Sequence, residues 1–293
     1  VPDAAAAGPE HRVAARPGAV RVEHVMGMPV SIDVRDAGIR PGDLDGAFAW
    51  LHEVDQRFST YRADSEISRL NRGELAADAA HPDVAAVLAR CTELHDLTQG
   101  WFDAWATAGP RLLEAGAATG TRAPGLAGRD PSVALAGAID PSGYVKGWAV
   151  EGAARLLEAA GARNFSVNAG GDVRVRGGAL PAPGWRVGIQ HPQRRDALAA
   201  VVAAAGSLAV ATSGAYVRGD HVLDPRTGHA PQGVLSVTVT GHDLGTADAY
   251  ATAAFAMGAG CPAWLANLHG YEALVILDDL RLLSTADFPY ADD

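Results

Sequence analysis

In Phe165-Ser-Val-Asn-Ala-Gly-Gly-Asp-Val-Arg-Val175, two short apolar runs flank a pair of glycines. Phe165 to Val167 and Val173 to Val175 read as strands, and the glycines between them let the chain reverse sharply. Immediately upstream, Tyr144 to Ala160 reads as a helix with Val145, Trp148, Gly152 and Leu156 on its buried side and Gly161 as its stop. Downstream the strand signal continues through Trp185 to Ile189, Ala199 to Ala203, Leu208 to Ala211 and Leu235 to Val239. Two helices, Thr246 to Met257 and Pro262 to Leu268, precede a last strand, Ala273 to Leu277.

The N-terminal part has the same vocabulary in a different order. Val30, Ile32 and Val34 alternate with polar residues as in a half-buried strand. A helix opening near Pro41 and Asp43 puts Leu44, Phe48, Leu51 and Val54 on one face. Ser65 to Leu70 forms a helical turn, and Asp83 to Leu97 a longer helix with Val84, Val87, Leu88, Cys91 and Leu94 inward. Gly116 to Ala138, rich in Gly, Ala and Pro, reads as a surface loop, and residues 1–20 as a flexible tail. Helices and strands come in blocks and do not alternate strictly. The expected fold is therefore α+β, one large domain over 21–293 with a mainly antiparallel sheet and packed helices, in one lobe or two.

Composition narrows the function. The 293 residues carry 24 basic and 34 acidic side chains, a net charge of −10, with 48% hydrophobic and 20% charged residues. A globular chain with a sizeable core follows. The charge and the lack of a basic cluster argue against a nucleic-acid partner. No apolar stretch approaches the ~20 residues that span a bilayer. The first twenty residues lack the basic and apolar blocks of a leader, which suggests a cytoplasmic protein, or an exported one if a leader has been removed. Cys91 and Cys261 match no metal or redox spacing and read as two buried thiols, or as a pair in a secreted protein.

Four segments carry polar groups that a scaffold does not need. Asp140-Pro-Ser-Gly-Tyr-Val-Lys146-Gly puts the sequence's sole lysine in the first turn of a helix, where the partial positive charge suits an anion such as phosphate. The plainer alternative is a solvated lysine whose stem packs on Trp148. Asn168-Ala-Gly-Gly-Asp172 suits either close backbone approach to a ligand or an ordinary hairpin turn. Ala211-Thr-Ser-Gly-Ala-Tyr216, followed by His221-Val-Leu-Asp-Pro-Arg-Thr-Gly228, places a histidine beside a strong turn, as a general base or as a structural residue. On the helix from Thr246, Asp248 and Thr252 lie four apart on one face, an oxygen pair suited to Mg²⁺ or, alternatively, an N-cap with a threonine bonded back to a carbonyl. Together the four describe a pyrophosphate site.

In the order Met26-Gly-Met, Phe58-Ser-Thr-Tyr61 with Ser65-Glu-Ile-Ser-Arg-Leu-Asn71, Gly100-Trp-Phe-Asp103, Asp140 to Gly147, Asn168 to Asp172, Ala211 to Tyr216, His221 to Gly228 and Ala247 to Thr252, the chain resembles the ApbE family of FAD:protein FMN transferases. Two departures stand out: Ala104 and Trp105 follow Gly100-Trp-Phe-Asp103, and the stretch from Tyr216 to His221 is short. The resemblance implies that FAD is split at its pyrophosphate by a threonine or serine hydroxyl of a client protein, with AMP as leaving group. It implies Mg²⁺ on the side chains of Asp248 and Thr252 beside the backbone of Gly143 and Ala251. It implies FAD contacts from Met26, Tyr61, Trp101, Phe102, Asp103, Asp140, Lys146 and Leu223, with His221 as the base. A FAD pyrophosphatase releasing free FMN would use the same site, whereas a non-enzymatic FAD-binding protein would not require the Mg²⁺ pair.

Overall fold

Successive hairpins build most of the molecule, because short alternating runs separated by tight turns pair with their neighbours in sequence. The computed structural model describes residues 18–105, 138–214 and 222–292. Among these residues ten strands are present: β1 (Ala19–Val25), β2 (Met28–Val34), β3 (Phe165–Ala169), β4 (Asp172–Arg176), β5 (Trp185–His191), β6 (Arg194–Ala204), β7 (Leu208–Gly214), β8 (Val234–Gly241), β9 (Tyr271–Leu277) and β10 (Leu282–Ser284). Eight form one sheet in the order β1-β2-β3-β4-β7-β8-β9-β10, and β5 pairs with β6 in a separate ribbon. Every pairing of named strands is antiparallel. The expected α+β architecture with a mainly antiparallel sheet is what the chain adopts.

The helices are α1 (Asp45–Phe58), α2 (Glu66–Asn71), α3 (Pro82–Leu97), α4 (Ser142–Ala159), α5 (Leu244–Met257) and α6 (Cys261–Leu265). Helices α4 and α5 lie on one face of the sheet and α1 covers α4. The β5–β6 ribbon covers the opposite face, where Trp185, Ile189 and Val202 meet Val173, Val175 and Val210 in a second, smaller core. The central strand β4 is therefore buried on both sides. Its valines face the ribbon, and the residues between them face the helices.

Where α4 crosses α5 the two backbones touch. A Cβ on Gly147 would stand 2.5 Å from the carbonyl oxygen of Leu244 and 2.7 Å from the Cα of Gly245, so glycine is required there. Trp50 donates its indole N–H to the carbonyl of Ala149 at 2.9 Å, and Trp50 and Phe58 pack against Trp148 at 5.1 and 5.4 Å between ring centroids. These contacts fix the three helices against one another and against the sheet.

Some sequence expectations change. Strand β1 begins at Ala19, so Ala19 and Val20 belong to the sheet and not to a tail. Leu156 is 41% exposed; Leu157, one residue on, is the buried one, because the inward stripe of α4 runs through Val145, Ala149, Val150, Ala153, Ala154 and Leu157. Both cysteines are free and buried. The loop expected over 116–138 falls, except for Ala138, outside the described residues.

Candidate functional site

At the end of the sheet where the β1–β2 and β3–β4 hairpins turn, a cleft of about 790 Å³ opens between those turns, the end of α1, the start of α4, β7 and α5. Its size is that of a pocket for a cofactor-sized ligand. Met26, Tyr61, Trp101, Phe102, Asp103, Asp140, Gly143, Lys146, Leu223, Asp248 and Thr252, scattered over 227 residues of sequence from Met26 to Thr252, all line it. Ala251 is fully buried beside it and does not, so its side chain contributes packing only. His221 lies outside the described residues.

The floor of the cleft is electrostatic. Helix α4 starts at Ser142, so Lys146 is its fifth residue and stands on the second turn, one turn deeper than the sequence suggested. Its Nζ lies 2.7 Å from Oδ2 of Asp172 on β4 and 3.6 Å from Oδ1 of Asp248 on α5. This lysine is not simply solvated, and it lines the cleft. It is bound to two carboxylates that are 1% and 2% exposed. Asp140 occupies the mouth of the helix instead, its Oδ1 accepting the Ser142 N–H at 3.0 Å and also the Ser142 hydroxyl.

Asp172 was not singled out by the sequence, although its motif was. Asn168 to Asp172 is a hairpin turn, with Gly170 and Gly171 both at positive φ (60° and 104°) and Asn168 Oδ1 accepting the Gly171 N–H at 3.0 Å. The turn reading is the one the structure shows, and it also brings Asp172 to Lys146. The other oxygen, Oδ1, accepts the Thr212 N–H at 3.0 Å and ties β4 to β7.

Two carboxylates against one ammonium leave a net negative charge in a buried place, where an uncompensated charge is costly. Burial pushes the Asp248 carboxyl well above the ordinary value of 3.8; the Lys146 ammonium pulls it back, and the neighbouring Asp172 pushes it up again. Oδ2 of Asp248 is buried without a hydrogen-bond partner. One turn along α5, Thr252 Oγ1 lies 3.3 Å from Ser213 Oγ. The N-cap of α5 is Asp243, which accepts the Thr246 N–H at 2.8 Å, so Asp248 has no capping role. Opposite stands Gly143, where a Cβ would come within 3.1 Å of Thr252 Oγ1 and 3.2 Å of the Phe102 ring. The missing side chain lets Thr252 and Phe102 come close to the backbone of α4.

These groups suit a hard divalent cation. The donors are oxygens, one carboxylate oxygen has no partner, and among the described residues no three His, Cys, Asp or Glu side chains gather as a closed metal cage. Mg²⁺ asks for one or two carboxylates and keeps its remaining positions for water and phosphate.

Higher up, the walls are aromatic. Tyr61 is 91% exposed at the rim, and Phe102 is packed into the wall with its N–H donated to Thr98 Oγ1 at 2.9 Å. The Arg226 guanidinium lies 3.9 Å from the centroid of Trp101, pinning the turn Asp224 to Gly228 to the side of the cleft. In the β1–β2 turn Met26 has φ of 54°, a left-handed conformation that costs a non-glycine residue about 1 kcal/mol. Met26→Asn is expected to keep or raise the melting temperature while weakening FAD binding several-fold, as read by thermal denaturation and flavin titration; a lower melting temperature with unchanged binding would make Met26 a purely structural residue.

A model of the ApbE family matches residues 26–275. The chain belongs to the ApbE family. The FAD:protein FMN transferase of Vibrio cholerae is 31% identical over 240 residues, 71% of each chain. That of Haemophilus influenzae is 29% identical over 252 residues, 72% of this chain and 71% of the relative. The crystal structure of the ApbE protein from Thermotoga maritima superposes with a TM-score of 0.76 at 26% identity, covering 92% of this chain and 97% of the other. The ApbE match begins at Met26, the residue held at positive φ over the cleft.

Proposed function

We propose that this ApbE protein cleaves FAD at its pyrophosphate and transfers FMN to a threonine or serine hydroxyl of a client protein, with Mg²⁺ as cofactor. The observation that carries the proposal is the buried Lys146–Asp172–Asp248 cluster, which has an unpartnered carboxylate oxygen and two members, Lys146 and Asp248, lining a cofactor-sized cleft. Five aspartates line that cleft against one lysine among the described residues. A pyrophosphate would be repelled there unless a cation accompanied it.

Asp248 and Thr252 supply the side-chain oxygens that would hold Mg²⁺, next to the backbone of Gly143. Bound there, the ion would neutralise charge on the pyrophosphate oxygens, the main requirement of phosphoryl transfer. Lys146 keeps the two carboxylates apart and oriented. Tyr61 and Trp101 present flat surfaces to the ring systems of FAD. The client hydroxyl attacks the phosphorus on the flavin side, the bond to the AMP phosphate breaks, a phosphoester to FMN forms, and AMP leaves with the electron pair. His221 is the candidate acceptor of the hydroxyl proton.

The test is incubation with FAD, Mg²⁺ and a candidate client, followed by in-gel flavin fluorescence and by measurement of AMP and free FMN. Fluorescent client with stoichiometric AMP is the expected result. Steady AMP and free FMN with no fluorescent client would identify a pyrophosphatase, and no AMP at all a flavin-binding protein.

A further inference from the structure

Behind the Lys146–Asp172–Asp248 cluster lies a second buried polar layer built from the same three elements. Glu151 is on α4, five residues beyond Lys146; Arg174 is on β4, two beyond Asp172 and on the same face; Leu244 opens α5, four before Asp248. Each offset is about 6–7.5 Å along its element, so the two layers run in parallel. Glu151 Oε1 accepts the Leu244 N–H at 2.8 Å and lies 3.0 Å from Nε of Arg174. Arg174 Nη2 donates to the carbonyl of His242 at 2.9 Å. Arg176 reaches the other oxygen of Glu151 at 3.5 Å. Glu151 is 9% exposed and Arg174 3%.

We propose that the Glu151–Arg174 pair is a positioning device that sets the start of α5 and, through it, where Asp248 stands relative to Lys146. The inference rests on the Mg²⁺ role proposed for Asp248. A buried ion pair is no guarantee of stability, since two apolar residues often serve as well. What an apolar pair cannot do is grip polar backbone atoms. Glu151 holds the Leu244 N–H from the α4 side, and Arg174 holds the His242 carbonyl from the β4 side. The two grips bracket the N-cap Asp243, so the first turn of α5 is held against both elements that carry the other members of the cluster. Outer residues that orient metal ligands commonly cost tenfold or more in metal affinity when lost.

The experiment uses the full chain with two variants. Glu151→Met with Arg174→Met removes both charges together, and Glu151→Gln keeps the shape and an acceptor oxygen while removing the charge that pairs with Arg174. For each, one measures the Mg²⁺ dissociation constant without FAD, fitted from the rise of melting temperature with Mg²⁺ concentration, and the Mg²⁺ concentration giving half-maximal AMP release from FAD. Both values are independent of the fraction of protein that folds. The double variant is expected to melt within about 3 °C of the unsubstituted protein, yet to need about tenfold more Mg²⁺ in both measurements; Glu151→Gln is expected to need about threefold more. Unchanged half-saturation in either variant would overturn the proposal, and Glu151→Gln decides alone if the double variant does not fold. A metal-independent melting temperature and AMP release in the unsubstituted protein would instead sink the Mg²⁺ role itself.

Discussion

Asp248→Asn is expected to lower Mg²⁺-dependent AMP release from FAD by about 10²- to 10³-fold and, in the same protein, to raise the melting temperature measured without metal. The two effects have one origin. Asp248 is 2% exposed, and burial holds its carboxyl far above the ordinary 3.8. A carboxyl so placed destabilises the metal-free fold at neutral pH, where it must either ionise in a dry place or take up a proton. The amide keeps the shape, removes that cost, and leaves Lys146 in a one-to-one pair with Asp172 at 2.7 Å. A gain of about 1 kcal/mol is reasonable for relieving an unbalanced buried charge, and in a chain of this size it corresponds to about 2–4 °C. The pH dependence follows. The folded carboxyl binds its proton at higher pH than the unfolded one, so its stabilising contribution is complete below the unfolded value and is lost as pH rises through the raised folded value. Asp248→Asn should remove that component from the stability profile in chelator. A lower melting temperature, or turnover kept within tenfold, would take Asp248 out of the metal site.

Which features could be read from sequence depends on which face each residue serves. Val30, Ile32 and Val34 all point into the main core, and their alternation was plain. Strand β1 was not, because it is an edge strand whose Val20 and Val22 are 57% and 59% exposed, the reverse of the expected pattern. On α4 the inward stripe is mostly alanine, which gives little contrast, and the eye settles on Leu156 where the packing uses Leu157. Strand β4 hid the most. In Asp172-Val-Arg-Val-Arg176 the charges look like the solvent side of a half-buried strand, but β4 is central and covered on both faces, and its charged side meets Lys146 and Glu151. Periodicity locates a face; it cannot say whether that face meets water or the opposite charges of a helix far along the chain. The cleft residues fared better, because they sit in short motifs at turns and helix ends whose residue types have few other uses. Lys146 is legible as a cation near the start of a helix, but its bridging of two buried carboxylates is not, because both partners come from distant segments.

That bridging position decides what its substitution should do. Lys146→Met leaves Asp172 and Asp248 facing each other without a cation, and loss of one partner from a buried ionic cluster costs about 3–5 kcal/mol, or about 6 °C and upward in melting temperature here. Added Mg²⁺ should recover part of the loss, because the ion replaces the missing charge. Lys146→Arg keeps the charge and isolates geometry. The ammonium fits as a point between oxygens at 2.7 and 3.6 Å, one residue from the backbone contact of Gly147 with Leu244 and Gly245. A planar guanidinium is larger and prefers to take a carboxylate by two nitrogens at once, so it would engage both oxygens of one aspartate and turn them from the cleft. The expected outcome is a melting temperature within a few degrees of the unsubstituted protein with AMP release reduced about 100-fold. If Lys146→Arg retained full turnover while Lys146→Met lost it, the site would need only a positive charge at that depth. Loss in both, with stability lost only in Lys146→Met, is the result that makes the position of the nitrogen the requirement, since the buried charge balance is then intact in the variant that fails.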